Sequence, residues 1–151
     1  MRLPPTNDPA ADHSSCVFCG IFASGDARWV AEEADALAFL PHADPLAPGH
    51  TLVGPRTHCT GILDADREAL MATMDLVQRV DRAMTSALAA PGIVVLNASG
   101  PHSGQSVPHL HFHVVPCWPD DDATYWPSDR SAHVIDGPIH RMLADALEAS
   151  R

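Results

Sequence analysis

Long apolar runs are missing from this 151-residue chain. None approaches the roughly 20 residues that a membrane-spanning helix requires, so no membrane partner is expected. The opening Met1-Arg2-Leu3-Pro4-Pro5-Thr6-Asn7-Asp8-Pro9 lacks the apolar core of an export signal, and a cytoplasmic protein is expected. Basic residues are scarce: nine Lys and Arg stand against nineteen Asp and Glu, a net charge of −10 with histidines neutral. A basic face for a nucleic-acid backbone is therefore not expected. A single nucleotide stays compatible, since a few local donors can hold one. There are only four cysteines, and without an export signal they do not read as a disulfide framework. No internal repeat is visible.

What is present suffices for one packed domain. Hydrophobic residues make up 46% of the chain, and at this length they can bury a real core. Fourteen prolines, in the first residues and in loops, imply a loop-rich periphery. Residues 1–15 read as a flexible leader, and a short helical turn is expected after Cys19, broken at Ser24-Gly25-Asp26. Segments 27–32 and 36–40 read as a hairpin turned at Glu33-Ala34-Asp35. His50–Pro55 is a strand, bounded by Pro48-Gly49 and ended by Pro55. Leu63, Leu70, Met74, Val77, Val80 and Met84 recur at three- and four-residue steps, which predicts one helix over about 64–89. Asp64 is its expected N-cap, Asp66 and Glu68 suit its positive end, and Pro91-Gly92 stops it. Strands are expected over 93–97 and 109–116, loop over 118–136, and a short helix over 139–149. Antiparallel strands packed on one long helix make an α+β domain. Trp118, Tyr125 and Trp126 are assigned to packing, with the cover of a substrate pocket or a subunit contact as the alternative.

The chemistry gathers in His109-Leu110-His111-Phe112-His113-Val114-Val115. Side chains alternate along a strand, so the three imidazoles share one face while Leu110, Phe112 and Val114 share the other. Same-face neighbours lie about 6.5–7 Å apart, close enough to meet one anionic ligand. Upstream, Asn97-Ala98-Ser99-Gly100-Pro101-His102-Ser103-Gly104-Gln105-Ser106 is a loop of glycine and small polar residues whose N–H groups can approach an anion. Together they read as a phosphate cradle feeding a nucleophile. Cys16 and Cys19 have C-x-x-C spacing. After a leader rather than a βαβ start, that spacing favours metal over redox chemistry. Two thiolates and two imidazoles can close a tetrahedral zinc site, with His50, His58 and one of the alternating histidines as candidates. Cys59 and Cys117 read as small buried apolar residues. His13, His102, His133 and His140 read as solvated.

Gly104-Gln105-Ser106-Val107-Pro108-His109-Leu110-His111-Phe112-His113-Val114-Val115 resembles the signature of the histidine-triad (HIT) superfamily of nucleotide hydrolases and transferases. Cys16-Val17-Phe18-Cys19-Gly20-Ile21, Ala38-Phe39-Leu40 and the block from Pro48 to His58 agree with it in order, so the resemblance spans about residues 16–117. It implies a HIT-like fold: an antiparallel sheet of about five strands on one long helix, with a HIT domain over 16–117 and a C-terminal loop and short helix over 118–151. It implies structural zinc held by Cys16, Cys19, His58 and His109. It implies His111 as the nucleophile forming a nucleotidyl-histidine, and His113 and Ser106 as stabilisers of the phosphoryl group. Phe39, His42, His50, Leu52, Asn97, Gly104, Gln105, Ser106 and His113 map to substrate-binding positions. The implied ligand is a purine nucleotide or nucleotide conjugate, cleaved at its α-phosphate, with phosphoramidates or related AMP derivatives as substrates. The implied assembly is a homodimer. A dinucleoside polyphosphate hydrolase or phosphorylase, or a nucleotide-binding module with little turnover, are the alternatives. This chain departs from the pattern at His42, where many members place an aspartate that accepts from both ribose hydroxyls, and at Pro108, where an aromatic is common. After Val115-Pro116, Cys117 takes the place of a frequent arginine.

Overall fold

The computed structural model describes residues 15–151. The leader expected over 1–15 lies, Ser15 apart, outside the described residues. Helix α1 (Val17–Ser24) leads into strands β1 (Trp29–Glu32), β2 (Ala36–Phe39) and β3 (Thr51–Pro55). Helix α2 (Arg67–Leu88) follows, then β4 (Gly92–Leu96), β5 (Phe112–Cys117) and α3 (Ile139–Ala149). The strands form one five-stranded sheet in the order β1-β2-β3-β5-β4, with every neighbouring pair antiparallel. This is the expected α+β arrangement of sheet, long helix and short C-terminal helix.

The two faces of the sheet do different work. On one, Ala36, Ala38, Val53, Leu110, Phe112 and Val114 pack against Leu76, Val77, Val80 and Met84 of α2. Removing these side chains from water is the main drive for the domain. On the other, Phe39 and Leu52 pack with Cys16 and Phe18 at the start of α1. The register Trp29↔Phe39, Phe39↔Leu52, Leu52↔His113 and Leu96↔His113 puts five residues in one row across the sheet. Partners in register point to the same side, so this row runs along the face opposite α2.

Several boundaries differ from the sequence reading. Helix α2 starts at Arg67, because the Asp66 carboxylate takes the cap and accepts from the Ala69 N–H at 2.7 Å. Asp64 instead closes the preceding turn, accepting from the Thr60 and Gly61 N–H groups, both at 2.8 Å. Leu63 therefore precedes the helix and is 83% exposed, and Met74 is also exposed; Thr73 and Leu76 take their places in the buried stripe. Helix α1 starts directly after Cys16, whose Sγ accepts from the Cys19 N–H, and so includes Cys19. Strand β5 begins at Phe112 rather than His109, since β3 and β4 offer register partners only from Phe112 and His113 onward. Trp118 donates from Nε1 to the Leu88 carbonyl and Tyr125 from its hydroxyl to the Leu46 carbonyl, while Trp126 is exposed. Cys59 is buried against α2, and burial, then Asp64 and Asp66, push its thiol up to about 12.

Candidate active site and metal centre

Residues 109–111 run into β5 without yet belonging to its ladder, and other contacts fix them. The Leu110 N–H donates to the Cys59 carbonyl at 2.7 Å, and the His109 ring Nε2 meets the Pro55 carbonyl at 2.8 Å. Asn97, the residue after β4, donates from Nδ2 to the His111 carbonyl at 2.8 Å. Gly54 of β3 allows the close approach: a Cβ there would lie 2.5 Å from the Leu110 carbonyl oxygen. Leu110 is fully buried on the α2 face, while Phe18 of α1 sits edge-on to His109 and His111 with ring centroids 5.9 and 5.0 Å away. The alternation read from the sequence thus holds across the strand boundary.

Hydrogen bonds set the tautomers. His111 Nδ1 lies 2.7 Å from the His109 carbonyl oxygen, which can only accept. That nitrogen therefore carries the proton, and Nε2 of His111 keeps its lone pair. His50 Nδ1 accepts from the Leu46 N–H at 3.0 Å, so His50 donates from Nε2 to His113 Nδ1 at 2.9 Å. His113 is left with its proton on Nε2. Two neighbouring imidazoles, His111 and His113, with ring centroids 5.0 Å apart, thus present complementary nitrogens: a lone pair on one and an N–H on the other.

All three rings favour the neutral form. Burial lowers the pKa of His50. Burial also lowers that of His111, against an opposing pull from the His109 carbonyl. Burial, with the adjoining His111 and His50, brings His113 down to about 4.

The cysteines meet the first histidine of the triad. Cys16, Cys19, His58 and His109 place their ligand atoms within 4.8 Å of one another. His109 Nδ1 lies 3.6 Å from both sulfurs, and His58 Nδ1 lies 3.4 Å from Cys19 Sγ. Tetrahedral zinc with ordinary Zn–S and Zn–N bonds separates sulfur from nitrogen by about 3.6 Å, so the donor set fits that ion. Burial, then a hydrogen bond and charge repulsion from Cys16, push the Cys19 thiol up to about 11. A cation between the sulfurs would relieve that repulsion. The bond from His109 Nε2 to the Pro55 carbonyl leaves Nδ1 to face the thiols, the usual outer support of a histidine ligand.

The other anticipated site residues fall into three groups. Phe39, Leu52 and His113 share one row of the sheet, with His50 bonded to His113. Asn97 and Gln105 bond within the protein: Gln105 donates to the Thr60 and Val107 carbonyls and accepts from the Gly100 N–H. Gly104, in a left-handed conformation with φ 89°, and Ser106 are exposed on the loop, and His42 is exposed between β2 and β3. His102, His133 and His140 are exposed too, while His13 lies outside the described residues.

Residues 24–119 match the family model of the HIT domain. The chain belongs to the HIT family. A HIT-like protein of Saccharolobus solfataricus is 36% identical over 106 residues, which cover 70% of this chain and 76% of the relative. The adenosine 5'-monophosphoramidase of Saccharomyces cerevisiae is 30% identical over 145 residues, covering 94% of this chain and 89% of that enzyme. A zinc-bound histidine triad family protein from Mycobacterium smegmatis has the same fold with a TM-score of 0.69 and 36% identity, covering 78% of this chain and 86% of that one.

Some participants in the site of this HIT protein carry weaker sequence signals. Phe18 and Phe22 lie four residues apart around the C-x-x-C pair, a spacing that puts both rings on one face of a helix. Phe22 meets the His109 ring at 5.4 Å, and both phenylalanines pack on Phe39. Leu46 and Pro55 act through their backbone, for which side-chain identity gives no signal.

Proposed function

We propose that this HIT protein is a nucleotide hydrolase or nucleotidyl transferase that cleaves at the α-phosphate of nucleoside phosphoramidates or related AMP derivatives. The observation that carries the reading is the wiring of two adjacent imidazoles, with a lone pair on His111 Nε2 beside an N–H on His113 Nε2. The likeness to an adenosine 5'-monophosphoramidase supports it.

In the proposed reaction His111 Nε2 attacks the α-phosphorus as the bond to the leaving nitrogen breaks. The His113 Nε2–H donates to a phosphoryl oxygen, and the leaving nitrogen, protonated from solvent, departs as a neutral amine. Water, or another acceptor nucleophile, then breaks the His111–phosphorus bond and releases its proton to solvent. His113, the exposed Ser106 and N–H groups of the 97–106 loop bind the phosphate oxygens as charge builds. Phe39 and Leu52, buried under Phe18, form the layer behind the purine rather than its open wall, while Asn97 and Gln105 shape the loop and His42 and Gly104 are exposed toward the sugar and phosphate. A zinc ion on Cys16, Cys19, His58 and His109 would supply stability rather than chemistry, because four protein ligands close its coordination. A dinucleoside polyphosphate calls for more cations, and Arg56 is engaged with the Glu33 carbonyl at 2.7 and 3.1 Å.

The test is mass spectrometry of the protein mixed with adenosine 5'-monophosphoramidate. A nucleotidyl adduct on His111 is expected, with adduct and turnover both abolished in His111→Ala and folding retained. Turnover by His111→Ala near the wild-type rate would sink the mechanism.

A further inference from the structure

We infer that Ser99 is a positioning residue for His111, acting through the side chain of Asn97. The inference rests on the proposed role of His111, and it starts from a problem of sheet termination. Strand β4 ends at Leu96, whose register partner is His113. The His111 carbonyl lies beyond that last pair, so no backbone N–H of β4 is in register to serve it. Asn97 follows Leu96, and its Nδ2 donates to this carbonyl at 2.8 Å. A side-chain amide thus continues the ladder beyond the end of the strand, at the residue that carries the attacking nitrogen.

An amide can do this only if it keeps one orientation, because its oxygen would repel the carbonyl if it turned over. Ser99 sets that orientation. Its Oγ lies 2.8 Å from Asn97 Oδ1 and 3.1 Å from the Ile62 nitrogen. The Ile62 N–H must donate, so the hydroxyl accepts from it and donates to Asn97 Oδ1. A directed chain results, from Ile62 N–H to Ser99 O–H to Asn97 and on to the His111 carbonyl. Gly61 leaves the room the hydroxyl needs: a Cβ there would come within 2.9 Å of both Cβ and Oγ of Ser99. The segment at the far end is itself fixed, since Asp64 accepts from Thr60 and Gly61, and Gln105 donates to the Thr60 carbonyl at 2.6 Å. The Ser99 hydroxyl therefore transmits the rigidity of the 59–64 turn to the backbone of the nucleophile.

Small displacements of a nucleophile reduce the rate of attack more than ground-state binding. Ser99→Ala is expected to lower kcat about tenfold with KM within about twofold, and Ser99→Thr, which keeps the hydroxyl, to restore most of the loss. The substrate is adenosine 5'-monophosphoramidate. An unchanged kcat in Ser99→Ala, a loss confined to KM, or a Ser99→Thr variant as slow as Ser99→Ala would each overturn the inference. A second measurement does not depend on turnover. The Asn97 side-chain amide protons, followed by NMR, are expected to move toward solvent-exposed positions in Ser99→Ala and to stay in Ser99→Thr. If they do not move in Ser99→Ala, the inference fails. A wild-type protein with neither turnover nor adduct would instead defeat the proposed function, and the NMR comparison would still decide the role of Ser99. Should Ser99→Ala not fold, Ser99→Cys, a weaker donor of similar shape, replaces it in both measurements with the same expected and overturning results.

Discussion

At the scale of single residues, the imidazole pair His50–His113 links chemistry to stability. In the unfolded chain both titrate near the ordinary histidine value of about 6.5. In the folded protein both are lowered, His113 to about 4. Below about pH 6.5 the unfolded chain takes up protons that the folded one refuses, so the folded state loses ground. Their contribution is therefore complete above about 6.5 and declines as the pH falls toward 4. His113→Asn is expected to flatten this decline. Between pH 7 and pH 5 the wild type should lose about 3 °C more in Tm than the variant, the effect of roughly 1 kcal/mol in a chain of this size. Parallel melting curves against pH would refute the assignment. The tautomers behind this behaviour were not legible in the sequence. They depend on the Leu46 N–H and the His109 carbonyl, backbone groups that carry no side-chain signature.

At the scale of elements, helix α1 is tied to the sheet by its cysteines and two phenylalanines. It has eight residues, too few to be stable alone. The zinc proposed for Cys16, Cys19, His58 and His109 would join α1, the turn after β3 and the run into β5. Cys16→Ser is therefore expected to lower Tm by about 5–10 °C, roughly 2–3 kcal/mol, and to affect turnover far less. A chelator should lower the wild-type Tm in the same way. Elemental analysis showing no metal, with no thermal shift on adding zinc, would refute it. Most elements were legible because periodicity is a local property: the two-residue alternation of 109–115 and the heptad-like steps of α2 do not depend on partners. Ends were less so. Asp64 and Asp66 are chemically the same signal, and only the fold shows that one caps the helix while the other closes the turn before it. The start of β5 likewise depends on where β3 and β4 stop.

At the scale of the whole molecule, apolar surface remains on elements that could receive a second copy. Strand β4 is an edge of the sheet with Val95 exposed, Met74 is exposed on α2, and Met142, Leu143 and Leu147 are exposed on α3. Uncovered edges and apolar faces favour association, and two-fold pairing is the commonest form it takes. A homodimer is the expected assembly. Light scattering at micromolar concentration should give twice the chain mass, and the mass of one chain would overturn the expectation. The opposite faces of the sheet have a further consequence. Leu110, Phe112 and Val114 meet α2, while His111 and His113 face away from it, so substitutions at neighbouring positions of one short segment disturb different layers. Exchanging His113 would leave the layer against α2 in place, whereas His111 is itself buried beside Phe18 and its loss would also open the opposite face. A one-residue insertion before Phe112 would instead change the parity of the histidines upstream of it and damage both layers together.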